Sequence, residues 1–219
     1  MPRGTARSGH VRWSTAIVFT AMFAAPLTAA AQMPKADPDW PCVQGYVPEL
    51  SPAQVWQGPD PASVEGHWAA DPEVAPLVPR LAASGTSLEE AERQVRAFAA
   101  GLVPGEREKR LTLLFYGVFE LLDAERRKAV ARVRTFARGQ RELAERIRSE
   151  SEALLQARAE GGNSEEVVAL DDKTKWDLRL FEERRATLTA VCEQPDLLEK
   201  RLFALAKVIG EALAPGEEG

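Results

Sequence analysis

Residues 111–122, L-T-L-L-F-Y-G-V-F-E-L-L, decide the fold. Wound as a helix, they are apolar almost all round. Twelve residues are too few to span a bilayer, which takes about 20, so the stretch is predicted to be the buried centre of a helical bundle. Downstream, over residues 123–160, the chain becomes highly charged. Only a thin stripe stays apolar or small: Val130, Val133, Ala137, Ala144, Ile147 and Leu154. With Gln140 and Ser151 filling the gaps, the steps alternate three and four. That is the spacing of a coiled-coil seam, diluted by polar residues.

Gly161-Gly162-Asn163 then turns the chain. A second amphipathic helix is predicted over about 165–193, with a seam of Thr174, Leu178, Phe181, Leu188 and Cys192 that Arg185 interrupts. Two seamed helices joined by so short a turn pack antiparallel. Pro195 reads as the start of a last helix, with Leu198, Leu202, Leu205, Ile209 and Leu213 on one face. The tail, P-G-E-E-G, is expected to fray.

Upstream of the apolar stretch, Thr86-Ser87-Leu88-Glu89 reads as a capping box. It opens a helix with Leu88, Ala91, Val95, Phe98 and Leu102 on one face, ended by Gly101 and Pro104. Asp71-Pro72 caps an earlier helix, which Pro76 and Pro79 shorten or kink. Before it, the composition changes: ten of the fifteen prolines fall within residues 34–79. Proline removes backbone donors and disfavours helix at the residue before it, so residues 32–70 are read as an irregular, extended arm. Disordered linkers are poor in aromatics, yet Trp40, Tyr46, Trp56 and Trp68 all lie here. They are read as pegs that anchor the arm to the helices, the alternative being an aromatic ligand site.

The first 31 residues have the parts of a secretory signal peptide. Arg3, Arg7, His10 and Arg12 form a positive start, residues 16–25 are a short apolar run, and Ala29-Ala30-Ala31 offers small residues for cleavage near Ala31. The alternative is an uncleaved membrane anchor. Removing three arginines leaves 25 basic against 33 acidic residues, a net charge of −8. An exported, mildly acidic protein is a poor nucleic-acid binder. The expected location is the periplasm, and the expected domains are the signal (1–31), the arm (32–70) and a helical domain (71–219) with its hairpin at about 123–193. The fold class is all-α: a helical bundle with a long antiparallel helical hairpin, preceded by the Pro/Trp-rich arm.

Two cysteines remain, Cys42 and Cys192. There is no C-x-x-C for thiol–disulfide chemistry, and zinc would need more ligands than these and His67 supply. In an oxidising compartment the pair is read as a structural disulfide fastening the arm to the helices; free thiols and an intermolecular bond are the alternatives.

Arg127, Arg134, Arg141 and Arg148 recur every seven residues, with Arg138 beside them, and residues 126–148 hold nine basic and two acidic side chains. On a helix this makes a positive face, suited to an acidic partner or an anionic membrane surface. The alternative is pairing within the hairpin, to acids of the return helix such as Glu182 and Glu183. Asp171-Asp172 and Glu165-Glu166 lack the loop spacing of a calcium site, and His67 has no Ser or Cys partner by motif. No phosphate loop, nucleophile elbow, zincin or haem-attachment motif occurs. No cofactor or metal is expected, nor is enzymatic activity.

D-W-P-C-V-Q, residues 39–44, followed by L-S-P-A-Q-V-W-Q-G-P, residues 50–59, resembles small, uncharacterised exported proteins of Gram-negative bacteria. That resemblance covers the arm alone and implies an envelope location. The function expected is contact with an envelope protein, by a charged hairpin surface or by homodimerisation through the seam. The alternative is a small-molecule or lipid-binding module, its pocket between the helix at 111–122 and the arm, lined by residues such as Phe115, Phe119, Trp56 or Trp68.

Overall fold

The computed structural model describes residues 37–214, apart from the side chain of Ser164, and all of them fall within one compact unit. The signal read at residues 1–31, the first residues of the arm and the tail from residue 215 lie outside the described residues. The chain is all-α: α1 (Pro52–Val55), α2 (Leu77–Ala82), α3 (Leu88–Gly101), α4 (Pro104–Ala159) and α5 (Ser164–Glu211), with 3-10 turns at Pro61–Val64 and Trp68–Ala70. Among the described residues there is no strand, and no helix is long and apolar enough to cross a membrane.

The bundle forms where the apolar stretch lies. Leu111, Leu114, Phe115, Val118 and Leu122 of α4 are buried against Leu202, Leu205 and Ile209 of α5, with α2 and α3 closing the sides through Val78, Leu81, Ala91 and Val95. Ser87 rather than Thr86 caps α3, its hydroxyl accepting from the Glu90 amide at 3.2 Å. Asp71 accepts from the amides of Glu73 and Val74, both at 3.0 Å, but with prolines at 76 and 79 the chain only turns until α2 begins at Leu77. Arg201 fastens the loop between α2 and α3, donating to the carbonyls of Leu81 and Thr86.

Bundle and hairpin are not separate helices. α4 runs unbroken for 56 residues and α5 for 48. Pro195 therefore does not start a helix, as the sequence suggests, but lies inside one. It removes one backbone bond and leaves the Val191 carbonyl without its helical partner. Pro195 and the neighbouring Cys192 are buried against the rest of the molecule, and tertiary contact outweighs the local cost. The hairpin turns at Gly161, whose φ of +68° favours glycine, and Asn163 caps α5 by accepting from the Glu165 amide at 2.9 Å.

The hairpin seam departs from the predicted one. Val130, Val133, Ala137 and Leu154 are buried, joined by Leu143 and by Glu150. On α5 Leu178 points outward, 45% exposed, and Asp177 takes the inward position beside Thr174. The buried acids are matched across the hairpin. Arg146 Nε donates to Asp177 at 2.7 Å, and Lys173 Nζ lies 2.7 Å from Glu150. A polar layer of this kind fixes register between two helices better than it stabilises them.

Phe115 is fully buried with Trp56 stacked on it, ring centroids 4.2 Å apart. Phe115→Ala is expected to lower unfolding free energy by about 3–5 kcal/mol. Leu88→Ala, at a position with a substantial exposed share, should change it by less than about 0.5 kcal/mol. Chemical denaturation followed by circular dichroism reads both.

Candidate interaction surface

The arm descends along α4, antiparallel to it. Pro38 and Asp39 meet Arg141, Tyr46 meets Arg134, the Val47 carbonyl meets Arg126, and Trp56 reaches Phe115 in the bundle. Without regular ladders, each polar group of the arm needs a specific partner. Trp40 Nε1 donates to the Gln44 carbonyl at 2.6 Å, and its ring lies 5.2 Å from that of Tyr46. Trp56 Nε1 donates to the Pro59 carbonyl at 2.7 Å. Trp68 Nε1 donates to Glu120 at 2.8 Å, and its indole rests on Gly117, where a Cβ would come within 2.9 Å of the ring.

Asp39 is the centre of the contact. Its carboxylate accepts from Arg141 and, at 3.3 Å, from Arg138, and Arg134 lies 3.5 Å away. Arg134 also donates to the Tyr46 hydroxyl at 3.0 Å and stands over its ring. The hydrogen bond from Arg141 holds the Asp39 carboxyl below the usual carboxylate range, a pull that partial burial opposes. Below it, Arg126 is only 3% exposed and donates to the Val47 carbonyl at 2.7 Å and to Glu199 at 3.2 Å.

Cys42 and Cys192 are joined by a disulfide, with Cα atoms 5.5 Å apart and a sequence separation of 150. Closing so long a loop removes about 5 kcal/mol of chain entropy from the unfolded state. The bond lands on α5 one turn before Pro195 and ties arm to hairpin beside the Asp39 cluster.

The five stripe arginines are thus all partnered within the chain. Arg134, Arg138 and Arg141 share Asp39 of the arm, Arg127 pairs with Asp123 on its own helix at 3.0 Å, and Arg148 pairs with Glu145. None reaches Glu182 or Glu183: Glu182 pairs at 2.8 Å with Arg185 on its own helix. Helix spacing identifies a face but not the segment that covers it, and here the cover comes from about 100 residues earlier in the chain. The complementary signal was present in Asp37 and Asp39, two acids in an arm opposite a basic helix.

His67 is exposed at the start of a 3-10 turn. Among the described residues no group of three or more His, Cys, Asp or Glu is placed to hold a metal ion. Between α4 and the arm, Trp56 itself occupies the face of Phe115. An open groove of about 650 Å³ lies nearby, between residues 54–58 and the last turns of α5, lined by Val55, Phe203, Ala206 and Leu213 with Gln54 and Lys207 at its rim.

Two predictions test the clasp. Cys42→Ser is expected to lower stability by about 2–5 kcal/mol, read by denaturation, and to make residues near 42–48 the first site of limited proteolysis. The second concerns pH. A depressed folded-state pKa stabilises above the ordinary carboxylate value of about 3.9, and that contribution is lost as pH falls toward the lower folded value. Asp39→Asn should therefore destabilise at pH 7 and converge with the parent protein at the acid end, measured as the difference between their stability–pH curves. Comparison of the chain with models of known protein families, with curated proteins and with solved structures found no match.

Proposed function

We propose that this is an exported, non-enzymatic protein of the cell envelope that works by contact, presenting the outer part of its hairpin to a partner protein. The observation that carries this reading is the reach of hairpin beyond the arm's grip and the apolar side chains it leaves exposed. From Arg141 to the end of α4 the helix continues for roughly 27 Å with no third segment of the described chain packed upon it. Along that reach and on the facing turns of α5, Leu155, Val168, Trp176 and Leu178 are exposed, Trp176 to 62%. Single exposed apolar residues are ordinary; Trp176 and Leu178 stand about 200° apart on α5, so this end offers a partner separate apolar anchors on more than one side. The matched polar layer at Glu150 and Asp177 supports the same reading, because it holds this otherwise thinly packed end in one register. The disulfide is compatible with an oxidising compartment.

The groove of about 650 Å³ favours a second reading, a module that takes up a small apolar ligand. A ligand retained through purification, and lost from Phe203→Glu, would support it.

For the leading reading, a photo-crosslinking residue at Gly162 is expected to capture one discrete protein in intact cells, and the same probe at Arg93 on α3 to capture none. Equal capture at both positions, or none at either, would sink the contact reading. Trp176→Ala combined with Leu155→Ala should abolish capture at Gly162 while leaving the melting temperature within about 2 °C.

A further inference from the structure

The arm covers only one side of the hairpin. Arg132 and Arg134 stand two residues apart on α4, hence about 200° apart around its axis. The arm holds Arg134. On the other side lies an open groove of about 440 Å³, lined by Ala131, Arg132, Thr135, Phe136 and, from α5, Arg184. We propose that this groove is the docking site for an extended acidic segment of a partner protein. The proposal rests on the contact reading above and gives the partner its chemistry.

Charge is the first argument. Every other arginine of α4 from Arg110 to Arg158 has a carboxylate within 4 Å. Arg132 has none among the described residues, and neither has Arg184. Arg80, Arg107, Arg179 and Arg201 also lack a carboxylate within 4 Å among the described residues, but Arg132 and Arg184 line the same groove, one from each helix of the hairpin. A planar guanidinium pair of this kind matches carboxylates.

The way Arg184 is seated is the second argument. Its guanidinium lies over the Phe136 ring, 5.2 Å from the centroid, and directly above Gly139. A Cβ at position 139 would come 2.8 Å from Arg184 Nη2. Glycine is disfavoured inside a helix, and at position 139 it lets the guanidinium lie directly on the helix backbone, where an added Cβ would push it aside. The cation is thus held at the groove rather than left to wander in solvent.

The protein's own arm supplies the third argument, because it shows what such a groove accepts. Phe136 is common to both sides. On the arm side Pro38 and Pro41 share a cavity of about 210 Å³ with it and with Phe181 and Leu188, while Asp39 takes the arginines. An extended strand with a carboxylate flanked by apolar residues satisfies one side of the hairpin, and the free side repeats the same ingredients. Two cations beside an aromatic floor give a flat anionic membrane only a weak hold, so a peptide suits the site better.

A fluorescein-labelled decapeptide of residues 37–46, with serine at the cysteine position, is the probe, titrated by anisotropy into the oxidised full chain at low salt. Saturable binding is expected, weakened at least tenfold by Arg132→Gln with Arg184→Gln, weakened several-fold by Gly139→Ala, and unchanged by Arg158→Gln. Asparagine at both aspartates of the peptide should also abolish it. Thermal unfolding confirms that each variant is folded. Absence of saturable binding, or binding that the double arginine variant retains, would overturn the proposal. So would arginine-dependent binding to phosphatidylglycerol vesicles in preference to the peptide, or an arginine-dependent dimer that excess peptide does not dissociate. Capture at Gly162 without peptide binding here would remove this site and leave the hairpin-tip reading standing.

Discussion

A helix that is apolar on every side has to be enclosed, and the rest of the molecule is arranged around that requirement. Residues 111–122 of α4 cannot be satisfied by one neighbour. α5 covers one flank and α2 another, with α3 packed behind them on α5 and α2, and the remaining face falls to the 3-10 turns and to Trp56 and Trp68 of the arm. The arm is thus part of the core, and its prolines are tolerated because core burial comes from side chains rather than a backbone ladder. Where α4 becomes charged the requirement lapses, and the enclosure thins to α5 and the arm, then to α5 alone.

That gradient explains how the arginines are distributed. Near the bundle Arg126 is buried and hydrogen-bonded to backbone and carboxylate. Midway, Arg134, Arg138 and Arg141 converge on one aspartate of the arm. Exposed ion pairs contribute little singly. Three donors sharing Asp39 next to a covalent bond hold one geometry, because the bond has already limited where the arm can go. The sulfur bridge and the carboxylate cluster therefore act on the same segment by different means, one restricting the unfolded chain and the other selecting the docked position.

The layout was largely legible in the sequence, since it depends on local and periodic signals: the apolar stretch, the glycine turn, the change in proline content and the isolated pair of cysteines. Misreadings arose where distant contacts decide. Pro195 is a stop signal by local rules, yet the helix continues because its surroundings are buried. Leu178 looks like a seam residue, but Asp177 takes that place because Arg146 waits across the hairpin. A hydrophobicity pattern cannot reveal a buried acid whose partner is 31 residues away. The arginine stripe was visible as a face, but its covering was not, because the spacing along a helix is silent about an aspartate in another segment.

The sulfur bridge also has a consequence in time. Cys42 is made 150 residues before the residue it joins. At a synthesis rate of about 5–20 residues per second, that is an interval of roughly 8–30 s. Throughout it, the leading thiol has no mate in its own chain. The strap is therefore made well before it can be secured, and whatever oxidises it must wait for a helix made 150 residues later.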